Sequence, residues 1–194
     1  GLYDIDVNEL NVDMIAAPGH KCLLGPQGTG MLYVRDNLNI NILKEGGTGS
    51  NSEDLFQPNM VPDKYESGTH NTPGIAGLNA GVKFILETGI NKIREHEERL
   101  CEYMLQKLIT VPNIKIYGPM DSKKRAAVIS VNIGKLDSGE ITFILDDMYD
   151  IATRSGIHCS PLSHETLGTL QQGTVRFSLG YFNTKEEIDK AVEA

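Results

Sequence analysis

The chain has 194 residues and a formal net charge of −8 at pH 7, and 40% of its residues are hydrophobic. This composition predicts a globular protein of one large or two small domains. The acidic balance argues against nucleic acid as a main partner, because phosphate binding needs a basic face. No apolar run approaches the roughly 18 residues that a membrane span requires, so we expect no membrane partner.

The cysteines indicate the compartment in which the protein works. Cys22, Cys101 and Cys159 are odd in number and widely spaced, a pattern typical of free thiols in a reducing environment. We therefore expect the protein to be cytoplasmic. The chain begins at Gly1, and its opening residues resemble the interior of a longer protein, so we expect it to be a fragment.

The first predicted elements are two short strands. Apolar runs at residues 13–17 and 30–35 are bounded by glycine and proline, as expected of buried strands. The turn between them holds His20 and Lys21, followed by several glycines. Residues 36–73 lack periodicity, and a loop of that length is usually functional or disordered.

Two helices are predicted next, one starting at Pro73 with Thr72 as its cap and one from about residue 90 to residue 110. Beyond them, strands and helices predict a β-α-β-β-α sandwich of the α+β class. These later elements cover residues 114–117, 126–133, 139–149, 150–154 and 174–179 and a last helix from residue 185, with Ser138 and Thr184 as helix caps.

Lys21 is the first candidate for chemistry. An ammonium is costly to bury unpaired, so a lysine between apolar strands usually has a charged partner or a chemical role. A desolvated amine attacks carbonyls, as in Schiff bases with pyridoxal 5'-phosphate (PLP). The glycines and His20 suit a phosphate, although the lysine precedes the glycines and so does not form a P-loop. The alternative is a surface lysine at the tip of a hairpin.

Three further groups of residues suggest binding or nucleophilic chemistry. Residues 68–72 lead into a helix N-terminus, where anions bind, although plain capping explains them nearly as well. Cys159 follows His158 and lies near Arg154, which suits a reactive thiol, although such neighbours are often incidental. Arg176 alternates with apolar residues in a strand, which suits either capture of a carboxylate or a structural ion pair. A zinc site formed by His158, Cys159 and His164 would lack both a standard spacing and a fourth ligand, so no metal site is predicted.

Together these motifs resemble those of the PLP-dependent class V aminotransferases, and best those of the cysteine desulfurase and selenocysteine lyase group. Five segments carry the resemblance in the family's order, namely residues 19–21, 25–30, 65–72, 154–159 and 176–184. The resemblance implies an α/β to α+β fold of the PLP-transferase fold type I. Residues 1–88 would form the C-terminal part of its large PLP-binding domain, and residues 89–194 a small α+β domain.

The resemblance implies that three residues bind the cofactor. Lys21 would hold PLP as a Schiff base and later move the substrate's protons. His20 would contact the cofactor phosphate. Thr69 would reach the phosphate in the neighbouring subunit, which implies a homodimer with shared active sites.

The resemblance assigns three more residues to the amino-acid substrate. Arg176 would clamp its carboxylate, with Arg154 supporting the site. Cys159 would attack the sulfur of L-cysteine and carry it as a persulfide, with L-alanine released. A sulfur-acceptor protein is the implied partner.

The chain departs from the family pattern at two points. Pro18 stands where many members carry a hydroxyl residue. The residues that bind the pyridine ring precede the lysine in this family and are not in this chain, so we expect the fragment alone to be inactive. Two alternatives stay open: another PLP reaction, as in an aminotransferase or a selenocysteine lyase, and a non-catalytic α+β interaction module.

Overall fold

The computed structural model describes residues 1–194, which form two compact units, Gly1–Ile90 and Asn91–Ala194. Each unit has its own secondary structure, and the helix that opens the second unit begins at Ile90. None of the helices in either unit is both long enough and apolar enough to cross a membrane.

The first unit contains an antiparallel hairpin of two strands, β1 (Met14–Pro18) and β2 (Gly30–Val34), in which Ile15 is paired with Tyr33. The residues of both strands are exposed or half-buried, so the prediction of buried strands is wrong for this unit. Each strand pairs only with the other. Two strands without further layers leave apolar surface uncovered, which explains the exposure.

Helix α1 (Thr72–Thr88) begins with a side-chain cap. The Asn71 side chain accepts a hydrogen bond from the Gly74 N–H at 3.1 Å, and Pro73 lies in the first turn. The prediction of Thr72 as the cap is wrong, since Thr72 is the first helical residue. The short side chain of Asn71 satisfies one of the N–H groups that every helix start leaves free, so the cap lies one residue earlier.

The segment between β2 and α1 contains one short 3-10 helix, Asp63–Tyr65. The Gln57 side-chain amide donates to the Asp63 carbonyl at 2.7 Å and to the Glu66 carbonyl at 2.8 Å. The stretch without sequence periodicity therefore has little regular secondary structure. Side-chain hydrogen bonds to the backbone organise this part of it.

The second unit combines a small sheet with helices. Its elements are α2 (Ile90–Leu108), β3 (Ile114–Tyr117), β4 (Val128–Ile133), α3 (Ser138–Tyr149), α4 (Pro161–Leu167), β5 (Val175–Ser178) and α5 (Lys185–Glu193). The sheet is antiparallel in the order β3-β4-β5. The α+β class predicted for this half is confirmed.

Two helix caps in this unit were predicted from the sequence, and one of them is confirmed. Thr184 caps α5 in a reciprocal capping box with Glu187. For α3, Asp137 is the cap and Ser138 is not, because the Asp137 carboxylate accepts from the Gly139 N–H at 2.8 Å. Ser138 is buried, and its hydroxyl donates to the Gln172 carbonyl at 2.8 Å.

The region between α3 and β5 differs most from the prediction. The strand expected at residues 150–154 is reduced to a single bridge between Arg154 and Arg176. Helix α4 was not predicted, because seven residues are too few to show helical periodicity. Pro161 at its first position was the available signal.

A single buried apolar cluster stabilises the second unit. Met104 of α2 and Ile129 of β4 are each 0% exposed, and full burial of such a side chain contributes about 1.5–3 kcal/mol. The buried members of the cluster are Leu100, Cys101, Met104, Leu105, Leu108, Ala127, Ile129, Val131, Ile141, Leu145, Val175, Phe177 and Ile188. The cluster thus draws on three helices and two strands, which fixes β5 as part of the core.

Candidate functional site

The connection between β1 and β2 carries Lys21 and is a hydrogen-bonded loop. The Gly19 N–H donates to the Thr29 carbonyl at 2.8 Å, and the Gly25 N–H donates to the Gly19 carbonyl at 2.8 Å. The Leu24 N–H donates to the Lys21 carbonyl at 2.9 Å. These backbone bonds fix the path of the chain on both sides of Lys21.

Helix α1 supports this loop through glycines. A Cβ atom at Gly81 would lie 2.5 Å from the Leu23 carbonyl oxygen, and one at Gly77 would lie 3.0 Å from Pro26 Cδ. A side chain at Gly81 would force the loop away from the helix, because the atom it meets belongs to the backbone. The glycines therefore let the lysine loop approach α1 closely.

Lys21 and His20 are both exposed. Lys21 borders an open groove of about 450 Å³, lined mostly by apolar side chains that include Tyr3, Met31 and Tyr33. The sequence predicted a lysine between buried strands. This unit instead has an exposed lysine on the connection of a hairpin. The amine is accessible to a carbonyl compound such as PLP, but water also reaches it.

Thr69 lies just before helix α1 and is exposed. The Thr72 N–H donates to the His70 carbonyl at 2.9 Å, and the Gly74 N–H donates to the Asn71 side chain at 3.1 Å. These N–H groups of the helix start already have partners, which favours the capping interpretation of this segment. The Thr69 hydroxyl is exposed and can be reached by a ligand.

In the second unit, three of the predicted site residues lie together. The Arg154 and Arg176 backbones exchange two hydrogen bonds, with N···O distances of 3.2 Å and 2.8 Å. The Arg154 guanidinium donates from Nη2 to the Cys159 sulfur at 3.3 Å. Cys159 is exposed and forms no disulfide. A free, accessible thiol that accepts a hydrogen bond from a guanidinium is a candidate nucleophile.

The structural ion pair considered for Arg176 is not found. Neither Arg176 nor Arg154 takes part in a salt bridge within the chain. The Arg176 Nε donates to the Ser178 hydroxyl at 3.1 Å, and this is its side-chain contact. Two guanidinium groups without a carboxylate partner leave this surface able to bind an anionic group such as a substrate carboxylate.

The backbone at Cys159 is strained. His158 and Cys159 have φ angles of 53° and 60°, in the left-handed region that residues with a Cβ rarely adopt. Each such residue costs about 1–3 kcal/mol, so the surrounding contacts must hold the conformation. Strain of this kind clusters at functional sites and supports Cys159 as a candidate.

His158 is one of the contacts that hold this loop. Its Nε2 lies 2.9 Å from the Arg154 carbonyl oxygen, and because a carbonyl only accepts, Nε2 carries the proton. Burial lowers the pKa of His158, the hydrogen bond to the Arg154 carbonyl partly offsets this, and electrostatic interaction with Arg176, His164 and Arg154 lowers it further. The imidazole is therefore predominantly neutral at pH 7.

The sequence suggested His164 only as a metal ligand, and its buried position beside His158 was not predicted. It lies on α4 and is 6% exposed, and its Nδ1 is 2.8 Å from the Thr169 hydroxyl. Its ring centroid lies 5.5 Å from that of His158. No sequence pattern indicated this pair, since α4 itself was not predicted.

The predicted site residues thus fall into two groups. The first unit carries His20, Lys21 and Thr69, and the second unit carries Arg154, Cys159 and Arg176. Within the second group the Arg154 and Cys159 side chains are in contact, and Arg176 joins them through its backbone. Within the first group no hydrogen bond joins the three side chains.

The description "Aminotransferase class-V" belongs to the family model that matches residues 2–191. A probable cysteine desulfurase of Methanothermobacter thermautotrophicus is 35% identical in an alignment 193 residues long, which covers 97% of this chain and 48% of the relative. A cysteine desulfurase of Salmonella newport is 36% identical in an alignment 195 residues long, which covers 98% of this chain and 46% of the relative. The chain thus spans about half the length of the curated relatives it matches.

Two solved structures that resemble this chain are also cysteine desulfurases, and the chain again covers about half of each. The cysteine desulfurase CsdA of Escherichia coli, in an S-sulfonic acid form, matches with a TM-score of 0.88 and 27% identity, over 99% of this chain and 47% of that chain. The apo cysteine desulfurase of Thermococcus onnurineus NA1 matches with a TM-score of 0.80 and 32% identity, over 96% of this chain and 47% of that chain.

Proposed function

The chain belongs to the class V aminotransferase family, and from this premise we propose that it is part of a PLP-dependent cysteine desulfurase. The whole protein would convert L-cysteine to L-alanine and receive the sulfur on Cys159. Residues 1–88 would belong to the large cofactor-binding domain, and residues 89–194 would form the small domain. The relatives and neighbours named as cysteine desulfurases support this assignment.

One observation carries the proposal, the 3.3 Å contact between the Arg154 guanidinium and the Cys159 sulfur. It lies beside Arg176, and neither guanidinium has an acidic partner within the chain. A desulfurase needs an accessible nucleophilic thiol next to a binding group for a carboxylate. This cluster supplies both from one loop and one strand.

The residues of the first unit fit the cofactor in part. The accessible Lys21 amine would anchor PLP, and His20 and the Thr69 hydroxyl would contact its phosphate. When bound, PLP serves as the electron sink for chemistry at the substrate's α-carbon. Lys21 would take and return protons at the substrate carbons, as a positioned base and acid.

The second unit would perform the sulfur transfer. Arg176 would hold the substrate carboxylate, and Arg154 would keep Cys159 ready to attack the substrate sulfur. A sulfur–sulfur bond forms as the substrate carbon–sulfur bond breaks, and the electron pair of the broken bond stays on carbon. Protonation of that carbon gives alanine, and Cys159 keeps the transferred sulfur as a persulfide.

The partners follow from this chemistry. A persulfide on an exposed cysteine can pass to a sulfur-acceptor protein, which we propose as the macromolecular partner. We also propose a homodimer, in which Thr69 serves the neighbouring subunit, and a cytoplasmic location, in which the three thiols stay reduced.

The experiment measures alanine and sulfide from L-cysteine with the full-length protein and a reductant. Cys159→Ser should abolish sulfide release, whereas Cys22→Ser, which removes another exposed thiol, should preserve it. Alanine formation that persists unchanged in Cys159→Ser would favour a lyase of the selenocysteine type. Amino-group transfer to a keto acid without any sulfide would favour an aminotransferase, and the absence of any reaction would favour a non-catalytic module.

A further inference from the structure

His164 is a buried titratable residue that the proposed chemistry does not use. It lies on α4, five residues after Cys159, and is 6% exposed. Its Nδ1 is 2.8 Å from the hydroxyl of Thr169, which is itself 3% exposed. The ring is therefore anchored at one nitrogen inside the second unit.

The anchored ring lies against His158. The two ring centroids are 5.5 Å apart, and the ring planes are inclined at 43°. On its other sides, His158 is bound through Nε2 to the Arg154 carbonyl at 2.9 Å, and its Nδ1 is 3.5 Å from the Thr174 hydroxyl. His158 is thus held between the Arg154 backbone and a buried partner that has its own anchor.

The next residue along the chain is Cys159, and both residues have left-handed backbone angles. Such a conformation lasts only where the surroundings enforce it. If the His158 ring loses its support, the loop can relax to an ordinary backbone conformation, and the Cys159 sulfur then moves away from Arg154. The contact at 3.3 Å therefore depends on what lies behind His158.

We propose that His164 is a positioning residue for Cys159, because it supports the His158 ring and thereby keeps the Cys159 sulfur against the Arg154 guanidinium. The importance of this contact for sulfur transfer rests on the proposed function, but the contact itself does not. Thr169 serves the same role one step further away, by fixing the orientation of the His164 ring.

The charged surroundings agree with this arrangement. The titratable or charged groups that face His158 are Arg154, Arg176 and the His164 ring. Burial lowers the pKa of His158, the hydrogen bond to the Arg154 carbonyl partly offsets this, and electrostatic interaction with these three groups lowers it further. A proton added to His158 would therefore lie near the positive charges of Arg176 on β5 and of Arg154 on its own loop. Acid should therefore loosen the loop that carries His158 and Cys159. Removal of His164 should change the pH at which the loop loosens.

The test measures alkylation of Cys159 by iodoacetamide in the 194-residue chain, with Cys22→Ser as background and modified peptides counted by mass spectrometry. Three changes are compared: His164→Asn, which removes the ring, Thr169→Val, which removes its anchor at similar volume, and Arg154→Gln, which removes the guanidinium. His96→Asn is the matched control, because that histidine contacts the Asn183 carbonyl at 3.2 Å, away from the Cys159 loop.

We expect Arg154→Gln to slow the alkylation about 10-fold, as the loss of a hydrogen bond from a charged donor implies. His164→Asn should slow it to a similar extent, Thr169→Val should slow it less, and His96→Asn should leave it unchanged. The double variant of Arg154→Gln and His164→Asn should be no slower than Arg154→Gln alone, since both changes remove the same contact. When the alkylation rate is measured against pH, the pH at which it changes in mild acid should differ between His164→Asn and the wild type.

A purely structural role for His164 gives a different result. In that case His164→Asn lowers the unfolding midpoint, but the folded protein alkylates at the wild-type rate, and the proposal is wrong. Multiplicative slowing in the double variant would also overturn it. If His164→Asn does not fold, Thr169→Val and its combination with Arg154→Gln decide by the same criteria. Failure of the full-length protein to form a persulfide would refute the proposed function. It would not affect the alkylation results for the single and double variants, which test the role of His164.

Discussion

The surroundings of Cys159 and Arg176 suit a reactive thiol and a binding group for a carboxylate. Cys159 is exposed, so access does not limit its reactivity, and the Arg154 guanidinium donates to its sulfur at 3.3 Å. Arg176 projects from β5 and is half-buried. It has no carboxylate partner within the chain, so its charge is available for a substrate.

Replacement of Arg176 tests its assignment to the substrate carboxylate. Arg176→Lys keeps the charge but loses the two parallel N–H donors, so we expect the KM of the full-length protein for L-cysteine to rise about 10- to 30-fold. Alkylation of Cys159 should stay near the wild-type rate, because the Arg154 contact is kept. An unchanged KM would show that the carboxylate binds elsewhere.

His158 should make the second unit less stable in mild acid. Its pKa in the folded state is lowered, mainly by burial and further by Arg176, His164 and Arg154, while the hydrogen bond to the Arg154 carbonyl partly offsets the shift. The unfolded chain therefore takes up the proton first, and stability is lost as the pH falls below about 6.5, the ordinary value. The loss ends once the pH lies below the folded-state pKa.

The measurement for this prediction is urea unfolding at several pH values between pH 8 and pH 5, for the wild type and His158→Gln. The glutamine variant cannot titrate, so the part of the acid destabilisation that belongs to His158 should disappear from it. Parallel curves for the two proteins would contradict the assignment.

At the scale of elements, helix α1 both begins at a cap and supports the lysine loop. Its cap is Asn71, whose side chain accepts from the Gly74 N–H. Asn71→Ala should lower the free energy of unfolding by about 1 kcal/mol. Thr72→Ala serves as the control and should have a smaller effect, since Thr72 is already helical. If urea unfolding shows that the two changes lower the free energy of unfolding equally, Asn71 is not the dominant cap, and the sequence-based assignment of Thr72 gains support.

The close contact between α1 and the lysine loop gives a second prediction at this scale. Gly81→Ala adds a Cβ 2.5 Å from the Leu23 carbonyl oxygen and 2.7 Å from the Leu24 carbonyl oxygen. The clash should cost about 1–3 kcal/mol, offset by about 0.5–1 kcal/mol of helix propensity. We expect faster amide hydrogen exchange in residues 19–29 as the loop detaches.

The control for this change is Asn79→Ala, at an exposed position of the same helix. It gains helix propensity without a clash, so it should leave hydrogen exchange in the loop unchanged. If Gly81→Ala behaves like Asn79→Ala, the glycine is not needed for the contact between helix and loop.

The elements show which parts of the fold can be predicted from sequence. Strands such as Ile114–Tyr117 and the capping box at Thr184 were predicted correctly, because their signals are local. The cap at Asn71 was missed because two adjacent polar residues both suit the position. Helix α4 was missed because it is shorter than the period over which amphipathic patterns appear.

At the scale of the whole molecule, the two units differ in how complete their candidate sites are. The second unit brings Arg154, Cys159 and Arg176 together around a buried core. The first unit presents Lys21 on an exposed loop beside an open groove. The motif order predicted the family, but the burial of Lys21 could not be predicted, because burial depends on chain segments distant in sequence.

This difference gives a prediction for the 194-residue chain as it stands. We expect it to bind PLP weakly, because an imine on an amine open to water is readily hydrolysed and the groove offers no enclosure. The measurement is the imine absorbance band on titration with PLP, with Lys21→Ala as the control. Strong binding that Lys21→Ala abolishes would contradict the expectation that this chain is inactive alone.

The central claim is that Cys159 receives sulfur from the amino-acid substrate. The most direct measurement treats the full-length protein with L-cysteine, blocks thiols and persulfides by alkylation, and locates the extra sulfur by peptide mass spectrometry. We expect one added sulfur atom on the peptide containing Cys159, none on the peptides containing Cys22 or Cys101, and one alanine released per persulfide. Alanine release without any sulfur on Cys159 would contradict it.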